Sequence, residues 1–172
     1  GKDAFGQELR ASLADASVDL SHLRTVPTPT GVALIEVDRT GQNSIVVAPG
    51  ANHEVTIEQV REAIRAVRPR VVLAQLEIPM AVIEALPGLV SEEGLLVLNP
   101  APAASLSAKA LQRVDVITPN EHEAEALTGI APDSEDAVRA AGAALLALGP
   151  KAVVITLGAK GCFVAHRNAQ DF

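Results

Sequence analysis

The chain has 172 residues, a formal net charge of −7 and a hydrophobic content of 48%, enough for a domain of ordinary size with a substantial core. Trp and Tyr are absent and Phe occurs three times, so side chains that stack on nucleic-acid bases are nearly missing. Because the acidic charge also offers no footprint for a phosphate backbone, we expect no nucleic-acid binding.

The first third of the chain predicts one helix and a two-stranded ribbon. Apolar side chains recur every four positions within residues 4–14, as in a helix: Phe5, Leu9 and Leu13. Residues 32–38 and 45–48 read as strands joined by polar turn residues. Three residues share an apolar face of the first strand: Ala33, Ile35 and Val37. Since a two-stranded ribbon is not stable alone in water, that face covers the protein's own core, a ligand or another subunit.

From Thr56 onward, short apolar runs alternate with helical patterns. The predicted strands are residues 71–76, expected to be buried, and residues 95–98, 114–117, 152–156 and 162–165. The predicted helices begin at Thr56, near Pro79 and at Asp133, the last with an inward stripe of Val138, Ala141, Leu145 and Leu148. This alternation favours a parallel sheet covered by helices on both faces.

Cysteine usage and hydropathy indicate the cellular compartment of the protein. No apolar run reaches the length of a membrane span, and the richest, residues 140–148, contains Gly142 and predicts a buried helix face. The single cysteine, Cys162, fits a reducing compartment and is expected to be a small buried hydrophobe rather than a nucleophile. The four histidines are scattered and predict no zinc site. With no signal-peptide pattern at the start, we expect a cytoplasmic protein with no membrane partner.

The six residues after the predicted strand 114–117 carry the most informative pattern. Thr118 and Glu121 have the spacing of a capping box, and Pro119 falls at the first helical position, so a helix is predicted to begin here. Asn120 and Glu123 then project from one side of its first turn, beside the positive end of the helix dipole. A carboxylate there suits a hydrated Mg²⁺ carried by a nucleotide. Alternatively, the stretch is only a well-capped helix with an acidic first turn.

Each predicted parallel strand ends in a polar or glycine-containing segment, and we expect these segments to line one crevice: residues 75–77, 99–102, 118–123 and 156–161. Glu77 either accepts hydrogen bonds from ligand hydroxyls or caps the next helix. The glycines of the last segment permit close approach of a ligand, and Lys160 either contacts phosphate or is simply exposed. Walker A and G-x-G-x-x-G motifs are absent, so phosphate chemistry would need another architecture.

Seven segments in a fixed order span nearly the whole chain. They are Gly1-Lys2-Asp3-x-x-Gly6, Thr30-Gly31-Val32-Ala33-Leu34-Ile35, Gly50-Ala51-Asn52, Gln75-Leu76-Glu77-x-Pro79, Asn99-Pro100-Ala101-Pro102-Ala103, Thr118-Pro119-Asn120-Glu121-x-Glu123 and Thr156-Leu157-Gly158-x-Lys160-Gly161. Together they resemble the central part of a sugar kinase of the ribokinase-like (phosphofructokinase B) family. The third and fifth segments favour the branch that phosphorylates ribose over the branches for adenosine or fructose.

The resemblance implies a doubly wound, mostly parallel α/β domain over residues 1–24 and 49–172, with a small β-sheet lid over residues 25–48. It also implies a homodimer formed through the lids, with ATP and D-ribose as substrates. In this family the γ-phosphoryl group of ATP is transferred to the 5-hydroxyl of ribose. Mg²⁺ accompanies ATP, and a K⁺ site would lie outside this sequence.

By position, Glu77 resembles the family's sugar-contacting glutamate, and Ala33 resembles a lid contact to the sugar. Asn120 resembles the asparagine near the ATP phosphates, and Glu123 the acid that holds Mg²⁺ through water. The residues that resemble the loop under the nucleotide are Thr156, Leu157, Gly158, Ala159, Lys160 and Gly161.

The family's catalytic base and anion hole, in a Gly-Ala-Gly-Asp segment, have no counterpart here and would follow Phe172. An N-terminal strand with a sugar-binding aspartate would precede Gly1. We therefore expect the 172-residue polypeptide alone to be inactive, because phosphoryl transfer depends on positioning and charge stabilisation. Two other interpretations are a kinase of the same family for another sugar or a nucleoside, and a non-catalytic nucleotide- or sugar-binding module.

Overall fold

A computed structural model describes residues 1–41, 43–167 and 169–171, with side chains for all of these except Asn43 and residues 169–171. The chain divides into two compact units. The first contains Gly1–Thr56 and Glu77–Pro79, and the second contains Ile57–Leu76 and the residues from Met80 onward. Every helix in the described ranges is too short or too polar to serve as a membrane span.

The first unit holds a helix and a ribbon. Helix α1 (Ala4–Asp15) precedes strands β1 (Val32–Val37) and β2 (Asn43–Ala48), which pair antiparallel. A short 3-10 helix, Gly50–Glu54, follows. The predicted helix and both strands are confirmed. All six residues of β1 are exposed, so its apolar face does not cover the protein's own core, which was one of the three alternatives.

Asp3 joins α1 to the segment that precedes the ribbon. Its Oδ1 accepts a hydrogen bond from the backbone N–H of Gly6 at 2.8 Å, which caps the helix. The Thr30 hydroxyl donates to Oδ1 at 2.7 Å, and the Thr30 N–H donates to Oδ2 at 2.6 Å. The Thr30 and Gly6 hydrogen bonds lower the pKa of Asp3 to about 2. A Cβ on Gly6 would lie 2.2 Å from the Gly1 carbonyl oxygen, so this close approach requires glycine.

The second unit is an α/β layer structure. In chain order its elements are α2 (Ile57–Val67), β3 (Val71–Ala74), α3 (Met80–Leu89), β4 (Leu95–Leu98), α4 (Ala108–Arg113), β5 (Val116–Ile117), α5 (Glu121–Thr128), α6 (Glu135–Ala147), β6 (Ala152–Thr156), β7 (Cys162–His166) and β8 (Ala169–Asp171). The strands lie side by side in that order. From β3 to β6 the pairing is parallel, and β7 and β8 are added antiparallel. The predicted parallel sheet is confirmed, while α4 and β8 were not predicted.

Helix α6 packs on the last strands around Phe163. Phe163, Leu145 and Ile155 are completely buried. A Cβ on Gly142 would lie 2.4 Å from Cε1 of the Phe163 ring, which explains a glycine in the middle of this helix. The guanidinium of Arg139 lies 5.9 Å from the centre of the same ring, within the range of a cation–π contact.

Three burial predictions were wrong. Strand β3 ends at Ala74 rather than Leu76, and Leu73 is 72% exposed because β3 forms the edge of the sheet among the described strands. Leu148 is 37% exposed, since α6 ends one residue before it and the helical stripe stops there. Cys162 is exposed rather than buried, because strand alternation turns Phe163 inward and its neighbour outward.

A buried carboxylate, Asp115, ties together the amino-terminal edge of the sheet. Its Oδ2 accepts hydrogen bonds from the Leu96 N–H at 2.7 Å and from Arg113 at 2.8 Å. Lys151 donates to Oδ1 at 2.6 Å. Burial raises the pKa of Asp115, but the hydrogen bonds from Lys151, Leu96 and Arg113 outweigh it and hold the pKa below its usual value of 3.8.

Candidate functional site

The carboxyl ends of β5 and β6 bring the start of α5 beside the segment after β6. The Thr156 N–H donates to the Pro119 carbonyl at 2.9 Å, and Asn120 and Thr156 form a parallel β-bridge. The two strands therefore stay paired beyond their regular ends. The predicted meeting of Asn120 with the 156–161 segment is confirmed.

The remaining strand ends continue this pairing along one rim. Asn99 N–H donates to the Ala74 carbonyl at 2.9 Å, and Leu76 N–H donates to the Ala101 carbonyl at 2.8 Å. Thr118 N–H donates to the Leu98 carbonyl at 2.9 Å. The ends of β3, β4, β5 and β6 are thus joined by main-chain hydrogen bonds, as expected of parallel strands that end at one edge.

The helix at this rim begins later than predicted. Helix α5 starts at Glu121 with Asn120 as its N-cap, whereas the sequence pattern suggested a box of Thr118 and Glu121 with Pro119 inside the helix. The reason is that the Thr118 N–H is used by the sheet, so the chain is still extended there. A preference for extended backbone before proline is the signal that could have located this boundary.

Asn120 and Glu123 form the actual capping box. Asn120 Oδ1 accepts from the Glu123 N–H at 2.8 Å, and Glu123 Oε2 accepts from the Asn120 N–H at 2.9 Å. Asn120 Nδ2 also donates to Glu123 Oε1 at 3.0 Å. The two residues that were predicted to face a ligand are therefore bonded to each other, which agrees with the alternative of a well-capped helix, although the capping pair differs from the predicted one.

Glu123 fits a hydrated metal ion better than a directly bound one. The residue is 8% exposed, and each carboxylate oxygen accepts one hydrogen bond and keeps further acceptor capacity. In the described ranges there is no group of three or more His, Cys, Asp or Glu side chains that could hold a metal. Mg²⁺ usually keeps several waters and needs only one or two protein carboxylates beside substrate phosphates, so a single carboxylate suits it.

The segment after β6 is an open glycine turn. Gly158 and Gly161 have φ values of 57° and 95°, and a Cβ on either would meet no atom within 4 Å. Glycine is needed there for the backbone conformation and not for space. Leu157 is buried and its N–H donates to the Gly161 carbonyl at 2.9 Å, which anchors the turn, while Ala159 and Lys160 are exposed.

Glu77 and Ala33, the two residues expected to contact a sugar, both belong to the first unit and are both exposed. Glu77 ends the 75–77 segment, directly after Leu76, whose N–H takes part in the rim, and α3 begins three residues later at Met80. The sugar contacts of Glu77 and Ala33 stay predictions.

The sequence matches the family described as pfkB family carbohydrate kinase over residues 1–172, and the chain belongs to this family. It is 40% identical over 172 residues to the ribokinase of Haemophilus influenzae, covering 98% of this chain and 56% of that protein. It is 30% identical over 174 residues to the deoxyribokinase of Salmonella typhi, covering 99% of this chain and 57% of that protein.

A solved structure gives the same fold. The Arabidopsis thaliana ribokinase complexed with ribose and ATP superposes with a TM-score of 0.82 at 29% identity, covering 98% of this chain and 56% of that one. The expected ribokinase-like α/β fold, with its separate small antiparallel sheet, is confirmed. The chain spans little more than half the length of the proteins it matches.

Proposed function

We propose that the protein containing this chain is an ATP-dependent ribokinase, which transfers the γ-phosphoryl group of ATP to the 5-hydroxyl of D-ribose. The observation that carries this proposal is the Asn120–Glu123 box, held by a main-chain bridge against the glycine turn that follows Thr156. The identity of 40% to a ribokinase along nearly the whole chain supports ribose as the acceptor.

The glycine turn, residues 156–161, is proposed to lie under the nucleotide. Its exposed residues and unobstructed glycines leave the main chain open to a ligand, and Lys160 supplies a positive charge for phosphate. Asn120 is proposed to lie near the phosphates, because its side chain stands beside the first turn of α5, where N–H groups and the helix dipole favour anions.

Glu123 is proposed to position Mg²⁺ through water. The ion, when bound with ATP, neutralises the charge that develops on the phosphate oxygens during transfer. The contribution of this chain is a carboxylate whose direction is fixed by two hydrogen bonds from Asn120. The family resemblance also suggests K⁺ activation.

The sugar is proposed to contact Glu77 and Ala33. Carboxylate oxygens accept hydrogen bonds from sugar hydroxyls, and Glu77 is exposed on the segment that follows the rim. A homodimer through the ribbon is also proposed, because one face of β1 and β2 exposes large apolar side chains that a partner ribbon would cover: Ile35, Val37, Ile45 and Val47.

A substrate panel tests the acceptor. The complete natural protein is assayed with Mg-ATP and D-ribose, 2-deoxy-D-ribose, fructose or adenosine. We expect the highest kcat/KM with ribose, and a tenfold preference for another acceptor would contradict the proposal. ATP binding without turnover on any acceptor would favour the non-catalytic module.

A further inference from the structure

A concave site lies at the opposite edge of the sheet from the rim, within the second unit. It is a cavity of about 780 Å³ bordered by the residue that precedes β3, Arg70, and the residue that precedes β4, Gly94. These positions place it at the amino-terminal edge, whereas Asn120 and Thr156 lie at the carboxyl edge. Its walls include apolar side chains, among them Ile64 and Leu89.

Three arginines line this one cavity: Arg65, Arg68 and Arg70. Within the described part of the chain, none of their guanidinium groups makes a hydrogen bond or an ion pair. Glu93 is the single carboxylate among the lining residues, so the cavity is positive in a chain whose net charge is −7. By contrast, Arg61, which lies on helix α2 with Arg65, is paired with Glu58.

Helix electrostatics explain only one of the three arginines. Arg65 lies in the last turn of α2, where a cation interacts favourably with the helix dipole. Arg68 lies beyond the helix, with a left-handed φ of 47° that residues with a Cβ seldom adopt, and Arg70 directly precedes β3. Three arginines from a helix and the linker after it, whose guanidinium groups have no partner in the described residues, therefore line one concavity.

The shape of the cavity is fixed by bonds that do not involve these arginines' side chains. Arg113 donates to the Ser91 carbonyl at 2.7 Å and to the Gly94 carbonyl at 3.0 Å, while its other nitrogen pairs with Asp115. The Leu95 N–H donates to the Arg70 carbonyl at 2.9 Å, which joins the two walls. The site is therefore largely preformed, as small-molecule sites usually are.

We propose that this cavity binds a small organic phosphate with at least two negative charges. Guanidinium groups bind phosphate oxygens in a bidentate manner, and the apolar walls accept the carbon portion of such a molecule. The site is separate from the rim at the carboxyl edge and does not depend on the proposed kinase activity.

Chemical modification locates the site in the complete natural protein. Phenyl phosphate serves as the probe, and phenylglyoxal labelling of arginines is mapped by mass spectrometry. We expect phenyl phosphate to slow the labelling of Arg65, Arg68 and Arg70 but not of Arg61. Absence of labelling at the three arginines without the probe would mean that another segment fills the cavity and would overturn the proposal, as would labelling that the probe does not change.

A matched set of variants measures the affinity by calorimetry. The triple change Arg65→Gln, Arg68→Gln and Arg70→Gln should weaken phenyl phosphate binding at least about tenfold, because charge-assisted hydrogen bonds are lost. Arg61→Gln, which removes an exposed ion pair outside the cavity, should leave the affinity within about twofold. Equal losses in the triple variant and the control would refute the site, and the labelling experiment decides the case if the triple variant does not fold.

Discussion

Asn120 and Glu123 each cap the other's backbone N–H, and the same pair is placed by a β-bridge beside Thr156. The carboxylate that we propose for Mg²⁺ is therefore also a structural part of α5. A substitution of Glu123 changes both the proposed Mg²⁺ contact and the helix cap, and an experiment has to distinguish the two effects. Glu121, in the same first turn but outside the box, serves as the control.

Glu123→Gln in the complete natural protein should lower turnover at limiting Mg²⁺ by at least about tenfold, because a neutral amide orients hydrated Mg²⁺ less well than a carboxylate. The KM for ribose should change much less, since the sugar contacts are proposed to lie elsewhere. Glu121→Gln should leave the Mg²⁺ dependence unchanged. Steady-state kinetics over a Mg²⁺ series measures both, and unchanged turnover of Glu123→Gln would refute the role of Glu123.

Gly158→Ala should weaken ATP binding, because alanine disfavours the φ of 57° that the turn requires. Gly129→Ala is the matched control, with a φ of 74°, equally open surroundings and a position at the far end of α5. Both changes should cost about 1 kcal/mol of stability, but only the first should raise the Kd for ATP. Equal affinities in a calorimetric titration would rule out a nucleotide role for this turn.

Gly142→Ala should destabilise the protein by about 1–3 kcal/mol, because the new methyl group would collide with the Phe163 ring. Gly88→Ala, in helix α3 with nothing within 4 Å, should be neutral or stabilising, since alanine is the better helix former. Urea unfolding of both variants provides the comparison. Similar stabilities would contradict the packing described for α6.

Asp115→Asn should destabilise the protein by about 2 kcal/mol, because the buried site loses the charge that pairs with Arg113 and Lys151. The pKa of Asp115 is lowered in the folded state, so its contribution is present above the unfolded pKa of about 3.8 and is lost as the pH falls below it. The stability difference between wild type and Asp115→Asn should therefore shrink from pH 7 to pH 3 in denaturant titrations. Asp133→Asn, at an exposed position before α6, is the control and should show no such change. A difference that is constant with pH would contradict the ion cluster.

Asp3 should titrate near pH 2 in a carboxyl NMR experiment, because the Thr30 and Gly6 hydrogen bonds favour its charged form. In Thr30→Val, which removes the hydroxyl donor, the midpoint should move upward toward 3.8. Thr40→Val removes the comparable hydroxyl bond to Asp38 and should leave Asp3 unchanged. An ordinary midpoint for Asp3 in the wild type would show that this junction does not form.

The strands and most helices could be predicted because each follows from a local pattern of apolar residues. The rim could also be anticipated, since parallel strands must end at one edge. The start of α5 could not, because it depends on whether Thr118 is held by the sheet, through a bond to Leu98 twenty residues earlier. For the same reason the Asp115 cluster was missed, as Lys151 reaches it from 36 residues away.

The exposure of side chains at the sheet edge could not be predicted from local patterns either. Residues 71–76 are as apolar as a central strand, yet Leu73 is exposed because strand order decides which strand has a neighbour on each side. The capping box itself was readable, since Asn followed three residues later by Glu is a common helix start, but Thr118 offered a competing pattern two residues earlier.

The rim at the carboxyl edge is joined from Leu76 to Thr156 through peptide groups alone. Every amino acid except proline supplies the same backbone N–H and C=O groups, so side chains along that edge can be exchanged during evolution without shifting the spacing between the segments. A scaffold of this kind lets binding preferences change by replacing individual contacts, while the distance from the glycine turn to its neighbouring segments is inherited unchanged.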